Sequence, residues 1–311
     1  MTNHQKSDNH WSTVKSILPY LWADGRWDLR FRVILALSFL VLAKLIGVYV
    51  PFLFKDAVDA IAGGGKVTAE TMAVAVPTGL ILGYGTARVL ALLFGELRDA
   101  VFVRVGQHAL RAVALNTFRH LHALSLKFHL ERRTGGLSRV IERGTRGIDF
   151  LLRFMLFNIL PTLLEILLIS AVFWTKFGFW YAAITFVALV SYILFTIYVT
   201  DWRLKFRREM NAQDTKANTK AVDSLLNFET VKYFTNEEHE SSRYDQALAG
   251  FESASVRSQL SLTLLNVGQG IIISLGLVIV LYMAAQGVVG GQFTIGEFVL
   301  VNSLLIQIYM P

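Results

Sequence analysis

Apolar runs of about 20 residues recur along this chain, at 33–54, 73–94, 154–174, 177–199 and 262–285, and a sixth occupies 295–311. The first holds a single charged residue, Lys44. A helix needs about 20 apolar residues to cross a hydrocarbon core of roughly 30 Å. In lipid, helices and closed barrels satisfy their own backbone, and runs of this length read as helices. The expected fold is an all-α membrane protein with six transmembrane helices, the sixth truncated at residue 311.

Composition narrows the function. Hydrophobic residues make up 54% of the chain and charged residues 17%, and there is no cysteine. That excludes disulfides, thiolate nucleophiles, zinc fingers and iron–sulfur ligation by this chain. His120 and His122 are two residues apart, on different helix faces, and make a poor metal pair, so no metal site is expected. The net charge of +7 is read as lysine and arginine held on the cytoplasmic side, not as a nucleic-acid footprint. Residues 1–32 are largely polar and lack the form of a signal or transit peptide. They read as a cytoplasmic N-terminal segment with an elbow helix.

The connections are unequal. Residues 55–71, 175–176 and 287–294 are short, whereas 96–149 and 201–261 are long and polar. The first long connection is rich in arginine, which places it and the N-terminus in the cytoplasm. Neither long connection contains proline, and both carry apolar residues at helical spacing, such as Val105, Leu110, Val113 and Leu121. They are expected to be tall cytoplasmic helical stalks. Gly63-Gly64-Gly65-Lys66-Val67 imitates a phosphate loop but lacks its first glycine and the hydroxyl residue after lysine. It is read as a turn, and no G-x-x-x-x-G-K-[ST] occurs anywhere in the chain.

Polar side chains at membrane depth face a cavity or a partner. Tyr192, Thr196, Arg203 and Arg207 fall within roughly a 60° stripe of one helix. They form either an anion-recognising strip, since arginine grips a carboxylate through two parallel bonds, or a marker of the cytoplasmic membrane edge. Asn266 and Gln269 share a face. They either meet peptide groups of a ligand or bond between helices beside Gly268 and Gly270, where small residues permit close packing. Lys44, Arg88, Arg153 and Glu165 also lie in or near apolar runs. Arg88 is a candidate for reaching the cavity, Lys44 and Glu165 are candidate structural partners of other helices, and none is assigned a functional role.

Two long motifs then carry a resemblance. FRHLHALSLKFHLERRTGGLSRVIERGTRGI at 118–148 and AVDSLLNFETVKYFTNE at 221–237 resemble the two intracellular loops of ABC exporter half-transporters. The type is that of the mitochondrial exporter supporting iron–sulfur assembly and its bacterial heavy-metal-exporting relatives. Phe228 stands where tyrosine is more usual. The resemblance spans nearly the whole chain and implies an ABC exporter transmembrane domain over 33–311, with the ATPase domain, its ATP and its Mg outside this chain. It implies a homodimer whose fourth and fifth helices cross to the partner. Short coupling helices near 128–134 and 228–234 would contact the ATPase domain through Phe128, His129, Arg132, Phe228, Glu229, Lys232 and Tyr233. Tyr192, Arg203, Arg207, Asn266 and Gln269 match positions that line a glutathione site in bacterial members.

The resulting expectation is ATP-driven export of oxidised glutathione, a glutathione–metal conjugate or a glutathione–sulfur species by alternating access. No catalytic residue or cofactor is expected on this chain. Expected partners are a second copy, the ATPase domain, the glutathione-type substrate and membrane lipid, with no nucleic acid. The expected location is the bacterial inner membrane. The alternatives are a lipid or hydrophobic-peptide exporter, a membrane scaffold without ATPase, and an ion-coupled transporter, for which Glu165 alone is thin support.

Overall fold

The computed structural model describes residues 26–63, 77–127, 144, 146, 147, 150 and 153–311. Residues 1–25 of the N-terminal segment, residues 64–67 of the glycine turn and the first coupling-helix residues Phe128, His129 and Arg132 lie outside them. Residues 27–32, expected in the N-terminal segment, and Gly63, expected in the turn, belong to the first helix. Among the described residues the regular elements are helices: α1 Trp27–Gly63, α2 Thr78–His122, α3 Met155–Phe177, α4 Phe179–Leu226, α5 Phe228–Tyr233, α6 Glu237–Val289 and α7 Ile295–Tyr309. α1, α2, α3, α4 and α6 are each long and apolar enough to cross a membrane.

Lengths decide what these helices do. At 1.5 Å per residue, the 48 residues of α4 span about 72 Å and the 53 of α6 about 80 Å. Each is more than twice the hydrocarbon thickness, so the polar half of each continues outside the bilayer as one unbroken helix. The stalks expected from the second connection are therefore helix and not coil. The same holds for α2 as far as His122.

Boundaries differ from the hydropathy reading at Pro77 and at Gly178, whereas Pro161 keeps its place within a run. Pro77, read as lying inside the second run, instead precedes α2, where its missing N–H costs nothing. Pro161 does lie inside α3. Just before it, Met155–Ile159 widens into a π-turn, with Leu160 N–H donating to the Met155 carbonyl. This relieves the clash that proline makes with the carbonyl four residues earlier. The break between α3 and α4 falls at Gly178 and not at Thr175-Lys176. Gly178 has φ +97°, a region that glycine enters without steric cost. Thr175 stays helical, its hydroxyl donating to the Ala171 carbonyl at 2.8 Å within a second π-turn, Phe173–Phe177.

The chain forms two compact units. The first comprises residues up to 176 together with 284–311. Here Leu29, Ala36, Phe102 and Val105 form a buried cluster, with Phe102 edge-on to Phe157 at 5.2 Å. α7 packs against α1 and α3 through a buried stripe of Leu300, Val301, Leu304, Leu305 and Ile308. In lipid such a stripe gains little from leaving water, so close packing and polar bonds carry the association.

Two polar devices hold this unit. At one level, Glu165 on α3 is buried with both oxygens occupied. Lys44 Nζ on α1 donates to Oε2 at 2.6 Å, and Gln307 Nε2 on α7 donates to Oε1 at 2.6 Å. Three helices thus meet on one carboxylate. At the opposite end of α1 from its start, Asp59 accepts from Thr294 Oγ1 and from Gly296 N–H, both at 2.8 Å. Thr294 caps α7 in a reciprocal capping box with Glu297. A carboxylate at the start of a helix also meets the positive end of its dipole. Lys55 lies one turn earlier on α1, 3.3 Å from Asp59 Oδ2, and balances its charge. The connection before α7, uncharged in the sequence, borrows its charge from α1.

Candidate functional site

The second unit, residues 177–283, contains every described residue named above for substrate binding or coupling. α4 and α6 run antiparallel within it, and their contacts advance in opposite directions along the two helices. Lys220 Nζ meets the Arg243 carbonyl at 3.3 Å, Arg257 Nη2 pairs with Glu209 at 2.9 Å, Arg203 Nε donates to Ser261 Oγ at 3.1 Å, and Gln269 Nε2 donates to Thr196 Oγ1 at 2.8 Å. Alanines at the stalk contacts, Ala217, Ala247 and Ala254, are buried. Small residues let the two backbones approach, as a long helix pair requires.

Nearer the apolar segment the same seam carries the candidate ligand residues. Arg203 is half-buried, and its orientation is set by a neutral hydroxyl. Ser261 is itself buried and donates to the Ser258 carbonyl at 2.6 Å. Arg257 differs, since its partner Glu209 opposes its charge. Thr196 donates to the Tyr192 carbonyl at 2.7 Å and accepts from Gln269. Tyr192 and Gln269 are half-buried, while Arg207 and Asn266 are exposed. Arg207 and Asn266 have no hydrogen bond or ion pair among the described residues.

Both readings of Gln269 therefore have a physical basis: it does bond between helices, and it keeps polar atoms to spare. Gly268 is tightly packed, because a Cβ there would lie 2.1 Å from the Phe195 ring. Gly270 has nothing within 4 Å and does not share that packing role. Sequence reasoning found Thr196 through its place on the stripe. It missed Ser258 and Ser261, whose only signal is a serine at helical spacing opposite an arginine. Arg88 bonds to Tyr84, one turn earlier, at 2.8 Å.

The stalk tip is the second candidate surface. α5 is a six-residue helix crossing between α4 and α6, where the second coupling helix was expected. Phe228 and Tyr233 are 58% and 84% exposed, and Glu229 is exposed as well. Lys232 pairs with Glu237 at 2.7 Å, far from the apolar run, and its hydrogen bond holds the Glu237 carboxyl below its ordinary range. Behind α5 lies a cleft of about 340 Å³, lined among others by Leu225, Phe228, Val231 and Tyr244. α5 ends in a Schellman turn, with Asn236 N–H donating to the Val231 carbonyl and Thr235 N–H to the Lys232 carbonyl. Thr235 occupies the left-handed position, at φ +50°, where glycine is favoured. Thr235→Gly is expected to remove steric strain of about 1–2 kcal/mol and to add about 0.5–1 kcal/mol of unfolded-chain entropy. The net result should be slower amide exchange across 228–237, measured by hydrogen exchange. Unchanged or faster exchange would show the turn to be unstrained.

The profile of the ABC transporter transmembrane region matches residues 33–311. The chain belongs to that family. Its relatives include the iron–sulfur clusters transporter atm1, mitochondrial, of Neurospora crassa, 49% identical over 100% of this chain and 43% of that protein. The iron–sulfur clusters transporter ABCB7, mitochondrial, of Homo sapiens is 46% identical over 96% of this chain and 40% of that protein. Among solved structures, a bacterial Atm1-family ABC exporter with ATP bound superposes with a TM-score of 0.69 at 43% identity, covering 92% of this chain and 49% of that one. The fold is that of an ABC exporter transmembrane domain, and the protein is a multi-pass membrane protein. The chain spans less than half the length of the curated relatives it matches. These relatives are mitochondrial, so they lend no support to the bacterial inner membrane expected from the sequence.

Proposed function

We propose that this ABC transporter transmembrane region is the membrane half of a dimeric exporter that carries glutathione-type anionic peptides away from the stalk side. The observation that carries the reading is Arg203. It is half-buried beside the apolar segment, oriented by a hydroxyl, and not neutralised by any carboxylate among the described residues. A guanidinium so placed suits a carboxylate, which it can grip through two parallel N–H bonds. Arg207, one turn further along the stripe, offers a second cation. The amides of Asn266 and Gln269 complement peptide groups. A chain without cysteine leaves thiol chemistry to its load. The relatives are named for iron–sulfur clusters, and a glutathione-linked species as the load is the reading proposed from the arginine and amide groups.

The chain holds no phosphate loop, so nucleotide does not fit here and no chemical step is assigned to these residues. Their work is to bind, to orient and to transmit. α5 would dock an ATPase domain through its exposed Phe228 and Tyr233, and α4 would carry the displacement without a break. A ligand shifts the inward and outward states only through unequal affinity for them. The arginine stripe would therefore hold the peptide more tightly in one state. The membrane is proposed to be one whose ATP-containing compartment faces the stalks, in keeping with the mitochondrial relatives.

The test uses the full-length protein in nanodiscs and titrates oxidised glutathione calorimetrically. Hydrogen bonds to charged groups contribute about 1.5–3 kcal/mol each. Arg203→Ala/Arg207→Ala is therefore expected to weaken binding by more than about 100-fold. Binding within threefold of the unsubstituted protein would rule out the stripe.

A further inference from the structure

The seam between α4 and α6 contains a reciprocal arrangement that the proposed site does not explain. A hydroxyl on α6, Ser261, meets an arginine on α4. A hydroxyl on α4, Thr196, meets an amide on α6. Each hydroxyl spends its single proton on its own helix: Ser261 donates to the Ser258 carbonyl at 2.6 Å and Thr196 to the Tyr192 carbonyl at 2.7 Å. Such back-bonds fix the rotor and leave only acceptor lone pairs facing the other helix. Those lone pairs receive Arg203 Nε at 3.1 Å and Gln269 Nε2 at 2.8 Å.

We infer that Ser261 and Thr196 are positioning residues that fix Arg203 and Gln269 for an anionic peptide ligand. The inference rests on the ligand reading above and adds to it which groups are held and which remain for the ligand. With Nε engaged by Ser261, Arg203 keeps its two terminal nitrogens, so a carboxylate must approach end-on. With one amide N–H engaged by Thr196, Gln269 keeps Oε1 and a second N–H, one acceptor and one donor. That matches the two ends of a peptide unit. A carboxylate partner for Arg203 would orient it equally well but cancel the charge, as Glu209 does for Arg257. A neutral acceptor orients without competing. The buried position of Ser261, 4% exposed, keeps water from replacing that acceptor.

The experiment titrates oxidised glutathione into the full-length protein carrying Thr196→Val, Thr196→Ser, Ser261→Ala, Arg203→Ala or Ser261→Ala/Arg203→Ala. Thr196→Val keeps shape and loses the hydroxyl. It is expected to raise Kd about tenfold, with Thr196→Ser returning it to within threefold. Ser261→Ala is expected to raise Kd about tenfold in the parent protein and to have no further effect on top of Arg203→Ala, because groups that act as one unit are not additive. A purely structural role would give losses that Thr196→Ser does not rescue and that add to Arg203→Ala, and either result overturns the inference. If Arg203→Ala weakens binding while Thr196→Val and Ser261→Ala bind as the parent does, the positioning role falls and the ligand reading stands. If Arg203→Ala itself binds like the parent, the ligand reading fails and this inference fails with it.

Discussion

Replacing Lys44 by Met is expected to destabilise the protein by about 3–5 kcal/mol, the scale on which removing one partner of a buried ion pair is felt. The cause is Glu165. Its side chain is 6% exposed, and Lys44 supplies the cation 2.6 Å from Oε2. Without it a carboxylate sits among apolar helices with only the Gln307 amide beside it. The complementary substitution Glu165→Leu leaves Lys44, which is 26% exposed and retains some access to polar surroundings. It should therefore cost less on the charge side but orphan the Gln307 amide, at about 1–3 kcal/mol. The double substitution Lys44→Met/Glu165→Leu is expected to recover part of the Lys44→Met loss, since a buried pair exchanged for apolar groups is often near neutral. The orphaned Gln307 amide leaves about 1–3 kcal/mol unrecovered. Unfolding of the purified protein in mixed detergent–SDS micelles measures all three. Equal stability of Lys44→Met and the parent would show that the three-helix junction is incidental to stability.

The second large effect is expected at Gly296. A Cβ there would lie 2.4 Å from the Lys55 backbone oxygen and 2.5 Å from the Asp59 carboxyl carbon. A backbone atom cannot swing aside as a side-chain tip does, so Gly296→Ala must push the start of α7 off α1. That shift also lengthens the bonds from Gly296 N–H and Thr294 to Asp59. Overpacking costs about 1–3 kcal/mol, and each weakened bond to a charged acceptor adds up to about 1.5–3 kcal/mol. The expected total is about 3 kcal/mol or more in the same unfolding measurement. Gly85 on α2, with nothing within 4 Å, is the control. Gly85→Ala should be neutral or stabilise by up to about 1 kcal/mol through helix propensity. Gly296→Ala indistinguishable from Gly85→Ala would refute the close contact.

What was legible in the sequence follows from what is local. Hydrophobic runs and the absence of proline marked the spanning helices and the second stalk, because both signals are carried by consecutive residues. The stripe from Tyr192 to Arg207 was visible through helical periodicity. Its anchoring was not, since Ser261 lies 58 residues from Arg203 and only the antiparallel register brings them together. Lys44 and Glu165 stood out as charges in apolar runs, yet their pairing across 121 residues has no local trace. Gln307 drew no notice at all, because one amide in an apolar run looks like many others. The break at Gly178 was misplaced by two residues. Thr175-Lys176 looks polar enough to be a turn, whereas the turn is set by backbone conformation.

The two arms of the stalk pair differ in stiffness. α4 contains neither glycine nor proline along its 48 residues. α6 contains no proline but carries Gly268 and Gly270 on either side of Gln269, at the level of the candidate ligand groups. α4 therefore runs as a stiff rod from its apolar segment to the stalk tip. Flexure is easier along α6, which carries five glycines, Gly250, Gly268, Gly270, Gly276 and Gly287. Two of those glycines flank Gln269, so the more compliant arm of the pair is also the one that carries that amide.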